Sequence, residues 1–187
     1  PGVGRDRGAV AGPRRRANFE GAAGDARQRV EREFDLLQVV PPQSAPDFIK
    51  ASPLADASGW VSVDKYSLRH SGFENVFGLG DCTTTPNSKT AAAVRAQAPV
   101  VAANLLQALH GKGEAKSYDG YASCPLTTSK GKIMLAEFIY DGVVAPSFPL
   151  DPRIPRRAYW WLKKYYLPFW YWRMLVGHLG ADWHAAW

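Results

Sequence analysis

The sequence predicts a mixed α/β fold from three observations. An apolar segment at 75–79 leads into Gly80 and Asp81, and a long helical pattern follows after a polar loop. Further strand patterns lie on both sides of this unit. The last part of the chain is dense in Trp and Tyr. With 46% apolar and 21% charged residues over 187 positions, the composition is that of a globular protein with a core.

The first half of the chain contains short strand candidates separated by breakers. Residues 1–16 have no apolar periodicity, so we expect a disordered or foreign segment there. The run 34–40, FDLLQVV, has the pattern of a buried strand that stops at two prolines. Residues 60–63 alternate as a short strand does, and 66–68 is a candidate partner.

The glycine–aspartate segment, 75–81, is predicted to be a strand that a polar loop joins to a helix over 89–110. Ser88 is a suitable N-cap, and Gly111 is a suitable residue just beyond the helix end. Pro99 lies inside the helix and is expected to kink or divide it.

The second half begins with a segment at 118–126 that carries Cys124. A strand is predicted over 133–140, and a proline-rich connector follows over 146–155. The uncharged part of the aromatic tract, 165–172, would cover about 12 Å as a helix, against roughly 30 Å of hydrocarbon. We therefore expect a helix broken at Pro168 that lies in the headgroup region. A core helix or an oligomer interface is the alternative.

Charge and cysteine content exclude several classes of protein. The net charge of +6 is concentrated at the two ends of the chain, where it forms no known nucleic-acid-binding pattern. Two cysteines cannot build a disulfide framework, and their spacing does not suggest a metal site. The chain begins with Pro1 instead of Met, which favours a fragment or a processed product, and no signal peptide pattern is present.

The strand–Gly–Asp–loop–helix unit is suited to binding a cofactor. Glycines let a ligand approach the backbone, the carboxylate can accept hydrogen bonds, and the helix start offers free N–H groups. An ordinary strand-to-helix turn with an aspartate cap would have the same pattern, and the residues alone favour that alternative.

Several motifs in order carry a resemblance to a known family. NVFGLGDCTTTPNSKTAAAV looks like the second FAD-binding segment of flavoproteins with two dinucleotide-binding domains. Together with YDGYASCPLTTSKGKIMLAEF, FDLLQVVPP and GWVSVD, it resembles the mitochondrial-type sulfide:quinone oxidoreductases, from about residue 18 to 172. The resemblance implies part of a Rossmann-like flavoprotein with a C-terminal α+β membrane-associated region.

The resemblance also implies roles for residues around the turn. Asp81 would hold the ribityl or phosphate portion of FAD, helped by the backbone of Leu79 and Gly80. Lys89 and Thr90 would lie near the flavin ring, where a cation stabilises negative charge on the reduced flavin.

Cys124 matches the redox cysteine of the family in its Ser-Cys-Pro context. The implied chemistry is attack of hydrogen sulfide on a cysteine bridge, which leaves a persulfide. The partner cysteine of the family lies in a part that this chain lacks, and Cys82 is assigned no catalytic role. An inert buried thiol is the alternative for an isolated cysteine.

The aromatic tract resembles the region that anchors the family at a membrane where ubiquinone enters. Lys163, Tyr165, Phe169 and Trp170 are the residues implied there. The implied location is the matrix face of the mitochondrial inner membrane, with a bacterial plasma membrane as the alternative. A small sulfur acceptor such as glutathione or sulfite would complete the reaction.

We expect the chain to have four parts. Residues 1–16 form the disordered or foreign segment, and residues 17–112 contain the end of the second dinucleotide-binding domain with the returning FAD segment. Residues 113–150 carry the redox cysteine, and residues 151–187 form the membrane-associated tail. No GxGxxG segment is present, so the chain alone is expected neither to hold FAD tightly nor to turn over. Two other functions stay open: a type II NADH:quinone dehydrogenase, and a non-catalytic membrane-binding remnant.

Overall fold

The computed structural model describes residues 15–23, 26–34, 42–111 and 113–175. It divides the chain into two compact units, 1–43 and 44–187. In the first unit, strands β1 (Arg15–Ala23) and β2 (Ala26–Phe34) form an antiparallel hairpin. The sequence did not predict this hairpin, and Arg15 and Arg16 belong to β1 instead of a disordered segment. Of the strand predicted over 34–40, Phe34 ends β2 and the remainder lies outside the described residues.

The second unit begins with helix α1 (Asp47–Lys50) and a set of single strand-like bridges. Residues 61 and 63 take part in these bridges, so the predicted alternation at 60–63 has a structural counterpart. Val63 pairs with His70, which corrects the expected partner at 66–68. A small core of Ile49, Val61 and Val63 holds this region together.

Helix α2 (Ala91–His110) is a continuous helix of 20 residues. Its N-cap is Thr90, whose hydroxyl oxygen accepts the N–H of Ala93 at 3.2 Å, which corrects the predicted cap at Ser88. Gly111 ends the helix in the left-handed conformation, as predicted. Pro99 lies inside α2 without dividing it. The helix therefore runs through all 20 residues and is not split at the proline.

A second core joins α2 to the segment that follows it. Leu68, Val100, Tyr118 and Tyr140 pack together in this core. Gly120 has a φ of +90°, and a Cβ there would lie 2.3 Å from the ring of Tyr140. Glycine is therefore required at position 120 for both its backbone conformation and its close approach to the ring.

The Cys124 hairpin consists of β3 (Ala122–Ser129) and β4 (Lys132–Phe138), which pair antiparallel. β4 confirms the strand predicted near 133–140, whereas β3 had not been predicted as a strand. One face of the hairpin buries Ile133 and Leu135 against Tyr159. On the opposite face, Cys124 and Leu126 are exposed.

The C-terminal helix has three parts: α3 (Arg157–Trp161), a π-helical turn (Leu162–Tyr166) and α4 (Leu167–Leu175). The helix was expected to break at Pro168, but it continues through that residue. Pro168 is the second residue of α4, directly after the wider π turn, so the helix passes the proline without a gap. Among the described residues, no helix combines the length and apolar character needed to span a bilayer.

Helices and strands thus coexist in the described residues, which confirms the mixed α/β class in its broad form. Both described sheets are antiparallel pairs of strands. Parallel pairing in the described part occurs at the bridge between Val61 and Thr83.

Candidate cofactor and redox site

The glycine–aspartate turn forms a short 3-10 helix, Gly80–Cys82, between Leu79 and the loop that precedes α2. Gly80 has a φ of +77°, a conformation that favours glycine. Its N–H donates to Oε1 of the buried Gln97 at 2.7 Å, which fixes the turn against α2. Asp81 is exposed, and its carboxylate makes no hydrogen bond within the described part of the chain.

Lys89 fastens the same turn from the other side. Its Nζ donates to the carbonyl oxygens of Asp81 at 2.6 Å and Thr83 at 2.7 Å, and it lies 4.2 Å from the ring centroid of Trp60. Partial burial lowers the pKa of Lys89, and the negative charge of Asp81 opposes that shift. The lysine expected near the flavin therefore holds the shape of the turn.

A narrow surface depression lies between the turn and the start of α2. Its lining includes the predicted residues Gly80, Asp81, Lys89 and Thr90, whereas Leu79 lies beside it in the chain. Asn87, which the sequence patterns did not indicate, also lines it, and its buried Oδ1 has no hydrogen-bond partner among the described residues.

The depression offers the groups that a polar cofactor edge requires. The first N–H groups of α2 have no partners within the helix, and they present the positive end of its dipole. Pockets that enclose small ligands measure about 300–1,000 Å³, whereas this depression encloses almost no free volume. The residues present therefore fit one edge of a flavin nucleotide, and the described part of the chain does not enclose a whole one.

A hydrogen-bonded connection leads from this depression to the Cys124 hairpin. Asn87 Nδ2 donates to the hydroxyl of Tyr118 at 3.0 Å, and that hydroxyl donates to the carbonyl of Tyr121 at 2.6 Å. Burial raises the pKa of Tyr118, which keeps the phenol protonated as a donor. Tyr121 directly precedes β3, so the depression and the strand of Cys124 are mechanically linked.

Cys124 is an exposed free thiol on β3, opposite Ala136 of β4. Leu126 and Phe138 on the same face of the hairpin are also exposed. The thiol is therefore accessible, as thiol–disulfide exchange requires, in an otherwise apolar setting. The alternative of a buried cysteine at position 124 does not match this exposure.

Cys82 has a different environment. It is half-buried, packs against the core of Ile49, Val61 and Val63, and its Sγ donates to the carbonyl of Leu79 at 3.4 Å. This placement agrees with the packing role expected for Cys82.

Behind the Cys124 strand lies a buried carboxylate that the sequence did not reveal. Glu137 is 3% exposed and accepts hydrogen bonds from the hydroxyls of Tyr121 and Ser147, both at 2.6 Å, and from the N–H of Ser147. Burial and the bond to Glu137 raise the pKa of Tyr121. This cluster anchors the loop around Ser147 to β4, and its only sequence signal was one charge in an apolar strand.

Lys163 approaches the same hairpin from the C-terminal helix. Its Nζ donates to the carbonyl of Pro125 at 3.0 Å and to Oγ1 of Thr127 at 3.3 Å. Tyr165 and Phe169 instead line an open groove of about 510 Å³ on the other side of the helix. Trp170 is half-buried, with its ring 5.5 Å from that of Tyr166. The four residues expected at the membrane thus occupy different sides of one helix.

The described geometry is an exposed thiol on a hairpin that hydrogen bonds link to a glycine–aspartate turn at a helix start, within a mixed α/β fold. The chain is 45% identical over 149 residues to the mitochondrial sulfide:quinone oxidoreductase of Mus musculus. It is 45% identical over 161 residues to that of Schizosaccharomyces pombe and 48% identical over 147 residues to that of Dictyostelium discoideum. The chain belongs to the same sequence family as these proteins, as its motifs predicted.

The matches cover 78–83% of the chain and 32–35% of each relative. The chain therefore spans about a third of the length of these curated relatives, a share consistent with the expected C-terminal portion. No family model matches the chain.

A solved structure with a similar fold is a chain from the Tetrahymena thermophila mitochondrial ATP synthase, in a cryo-EM F1Fo composite tetramer. The TM-score is 0.63 at 26% identity, and the match covers 76% of this chain and 35% of the other.

Proposed function

We propose that this chain is the C-terminal portion of a flavin-dependent sulfide:quinone oxidoreductase, and that Cys124 is one of its two redox sulfurs. The observation that carries the proposal is the position of Cys124. It is an exposed thiol within a chain that is 45–48% identical to named sulfide:quinone oxidoreductases.

The surface around Gly80 would contact one edge of FAD. Asp81 would accept hydrogen bonds from the cofactor's hydroxyls, and the free amides at the start of α2 would face an electron-rich group. Lys89 would act indirectly, because its ammonium holds the carbonyls of Asp81 and Thr83. FAD, when bound, supplies a two-electron acceptor between the thiol chemistry and the quinone. The enclosing two-domain, Rossmann-like fold would come from the remainder of the enzyme.

Cys124 would begin the reaction cycle in a disulfide with a cysteine outside this chain. Hydrosulfide attacks one sulfur of that bridge, a new S–S bond forms, and the old S–S bond breaks. One cysteine becomes a persulfide and the other leaves as a thiolate, so the sulfide sulfur is oxidised as the second cysteine is reduced. The exposure of Cys124 permits this attack, and a small acceptor such as glutathione or sulfite would later remove the persulfide sulfur.

The aromatic C-terminal helix would hold the enzyme at a membrane surface, so that ubiquinone can reach the active site. Exposed Trp and Tyr side chains are typical of the membrane–water interface. The groove lined by Tyr165 and Phe169 would receive the apolar part of the quinone. The relatives are named as mitochondrial. Within that compartment, the proposed location is the matrix side of the inner membrane, as the family resemblance implies.

The decisive experiment compares two cysteine variants of the complete enzyme that carries this chain. We expect Cys124→Ser to abolish sulfide-dependent quinone reduction, because a hydroxyl cannot form a persulfide. Cys82→Ser is the matched control, and we expect it to retain most of the activity if the variant remains folded. Substantial activity in Cys124→Ser would refute the proposed role of that thiol.

Two further readouts test the alternatives. NADH-dependent quinone reduction unaffected by loss of Cys124 would favour a type II NADH dehydrogenase. An enzyme with neither bound flavin nor any activity would favour the non-catalytic remnant. The isolated chain is expected to purify without flavin, and a stoichiometric flavin absorbance would contradict that expectation.

A further inference from the structure

The outward side of the C-terminal helix carries a stripe of aromatic side chains, Trp161, Tyr165 and Phe169, which we call the outer stripe. Their exposed fractions are 61%, 50% and 55%. The rings of Trp161 and Tyr165 stack at 4.8 Å, and all three residues line the open groove. Exposed apolar surface of this kind is typical of an interaction site.

The inward side of the helix is already occupied. Tyr159 is buried against Ile133 and Leu135, and Lys163 donates to the main chain at Pro125. The helix is therefore fixed on the hairpin in an orientation that turns the outer stripe away from its own core.

Cationic side chains lie next to the rings of the outer stripe, and the same stretch of sequence contains no carboxylate. The Nζ of Lys164 lies 5.0 Å from the centroid of Tyr165, and the guanidinium of Arg173 lies 5.1 Å from that of Phe169. Arg157, one turn before Trp161, is exposed. No Asp or Glu occurs from 152 to 175, and within the described residues these three cations make no salt bridge with a carboxylate.

We infer that the outer stripe binds a bilayer rich in anionic lipid, with Arg157, Lys164 and Arg173 contacting lipid phosphates while the rings enter the headgroup layer. The inference rests on the proposed membrane association and names its lipid class. Rings and cations share one patch, which matches the layered chemistry of an anionic interface. An acidic protein partner would satisfy the cations and leave three aromatic rings without a counterpart.

The test measures vesicle binding of the full 187-residue chain by co-sedimentation. Vesicles of phosphatidylcholine are compared with vesicles of phosphatidylcholine mixed with phosphatidylglycerol. We expect stronger binding to the anionic vesicles, and the double variant Lys164→Gln/Arg173→Gln should weaken that binding roughly 30-fold, at about fivefold per cation. High salt should remove the preference, because the Debye length falls to about 3 Å at 1 M.

The matched control removes two lysines elsewhere in the second unit. Lys50→Gln/Lys116→Gln gives the same change of net charge at exposed positions outside 151–175. We expect its binding to stay within about twofold of the unmodified chain, since a specific patch and not net charge determines affinity. Circular dichroism of each variant establishes that it is folded.

The outcomes separate the inference from the proposal on which it rests. Equal binding to both vesicle types, or an equal loss in the two double variants, would overturn the anionic preference and leave membrane association intact. Absence of binding to either vesicle would contradict both. The variant Trp161→Ala/Phe169→Ala is expected to lose binding to both vesicle types, and unchanged binding would overturn the role of the outer stripe.

Discussion

Helix α2 and the C-terminal helix each carry a polar side chain that bonds neighbouring main chain, but the two side chains lie in opposite environments. Asn104 in α2 is buried, and its amide bonds the carbonyls of Ser67 and Lys116 and the N–H of Lys116, at 2.8–2.9 Å. Lys163 in the C-terminal helix makes its two bonds at an exposed position.

The difference indicates what each helix contributes. Loss of a buried hydrogen-bonding group leaves main-chain partners unpaired away from water, whereas water replaces an exposed partner at little cost. We therefore expect α2 to belong to the stable frame of the second unit and the C-terminal helix to be a more weakly attached element that presents its side chains outward.

The largest effect on stability is expected when the buried side chain of Asn104 is removed. Asn104→Ala should lower the free energy of unfolding by about 3 kcal/mol, because three hydrogen bonds to main-chain groups are lost. Gln107→Ala on the same helix is the control, since that amide makes a weaker, exposed bond to the carbonyl of Gly113. Urea unfolding of both variants measures the difference. A loss of less than about 1 kcal/mol for Asn104→Ala would contradict the expectation that the buried attachment stabilises the unit more than the exposed one.

The second effect depends on alkaline pH and concerns the core beside α2. Burial raises the pKa values of Tyr118 and Tyr140, so the folded state keeps both phenols protonated when the unfolded chain ionises near pH 10. Their stabilising contribution is fully present below about pH 10 and is lost as the pH rises above it. Lys89 has the opposite effect on stability. Because its pKa is lowered in the folded state, the folded chain releases this proton at a lower pH than the unfolded chain does, and the contribution of Lys89 to stability rises with pH.

Unfolding measured between pH 8 and pH 11 tests this. Tyr118→Phe should make the decline of stability with rising pH shallower, because the phenol with the raised pKa is removed. An unaltered slope in Tyr118→Phe would rule out Tyr118 as a source of the decline.

A third prediction compares the two thiols. Cys124 should react with a thiol-alkylating reagent roughly tenfold faster than Cys82 in the folded chain, because Cys82 must first leave its packed position beside Val61. Mass spectrometry of peptides after timed labelling gives both rates. Denaturant should remove the difference, and equal rates in the folded chain would argue against the exposure of Cys124.

The smallest effect on stability is expected when the exposed hydrogen bonds of Lys163 are removed. Lys163→Met keeps the aliphatic stem and removes the bonds to Pro125 and Thr127, which should cost no more than about 1 kcal/mol. Hydrogen exchange should increase in α3 and α4 and stay constant in α2. Lys164→Met is the control, because its ammonium contacts a ring on the outer side. Faster exchange throughout the unit would mean that the C-terminal helix is part of the stable frame.

The sequence predicted those elements whose signal is local. The alanine-rich start of α2, the glycine after it and the apolar run of β4 each show their structure within a few residues. The attachments of Asn104, Glu137 and Lys163 were not predictable, because each depends on main chain 10–38 residues away. Strand β3 was missed because Pro125 suggests a break, although Pro125 can be accommodated in a two-stranded hairpin.

The cofactor turn was partly predictable for the same reason. Gly80, Asp81 and Thr90 follow one another along the chain, so the motif brought them together without knowledge of the fold. Asn87 enters the depression through its contact with Tyr118, 31 positions away, and no local pattern marks it.

The π turn at Leu162–Tyr166 determines the angular phase of the outer stripe. Residues four apart on a regular α-helix drift by about 40° around its axis, so Trp161, Tyr165 and Phe169 would spiral away from one another. A wider turn counters part of that drift. In a regular α-helix, Phe169 would lie about 80° and Arg173 about 120° around the axis from Trp161. The spacing of the turn, as much as its composition, therefore keeps the stripe continuous.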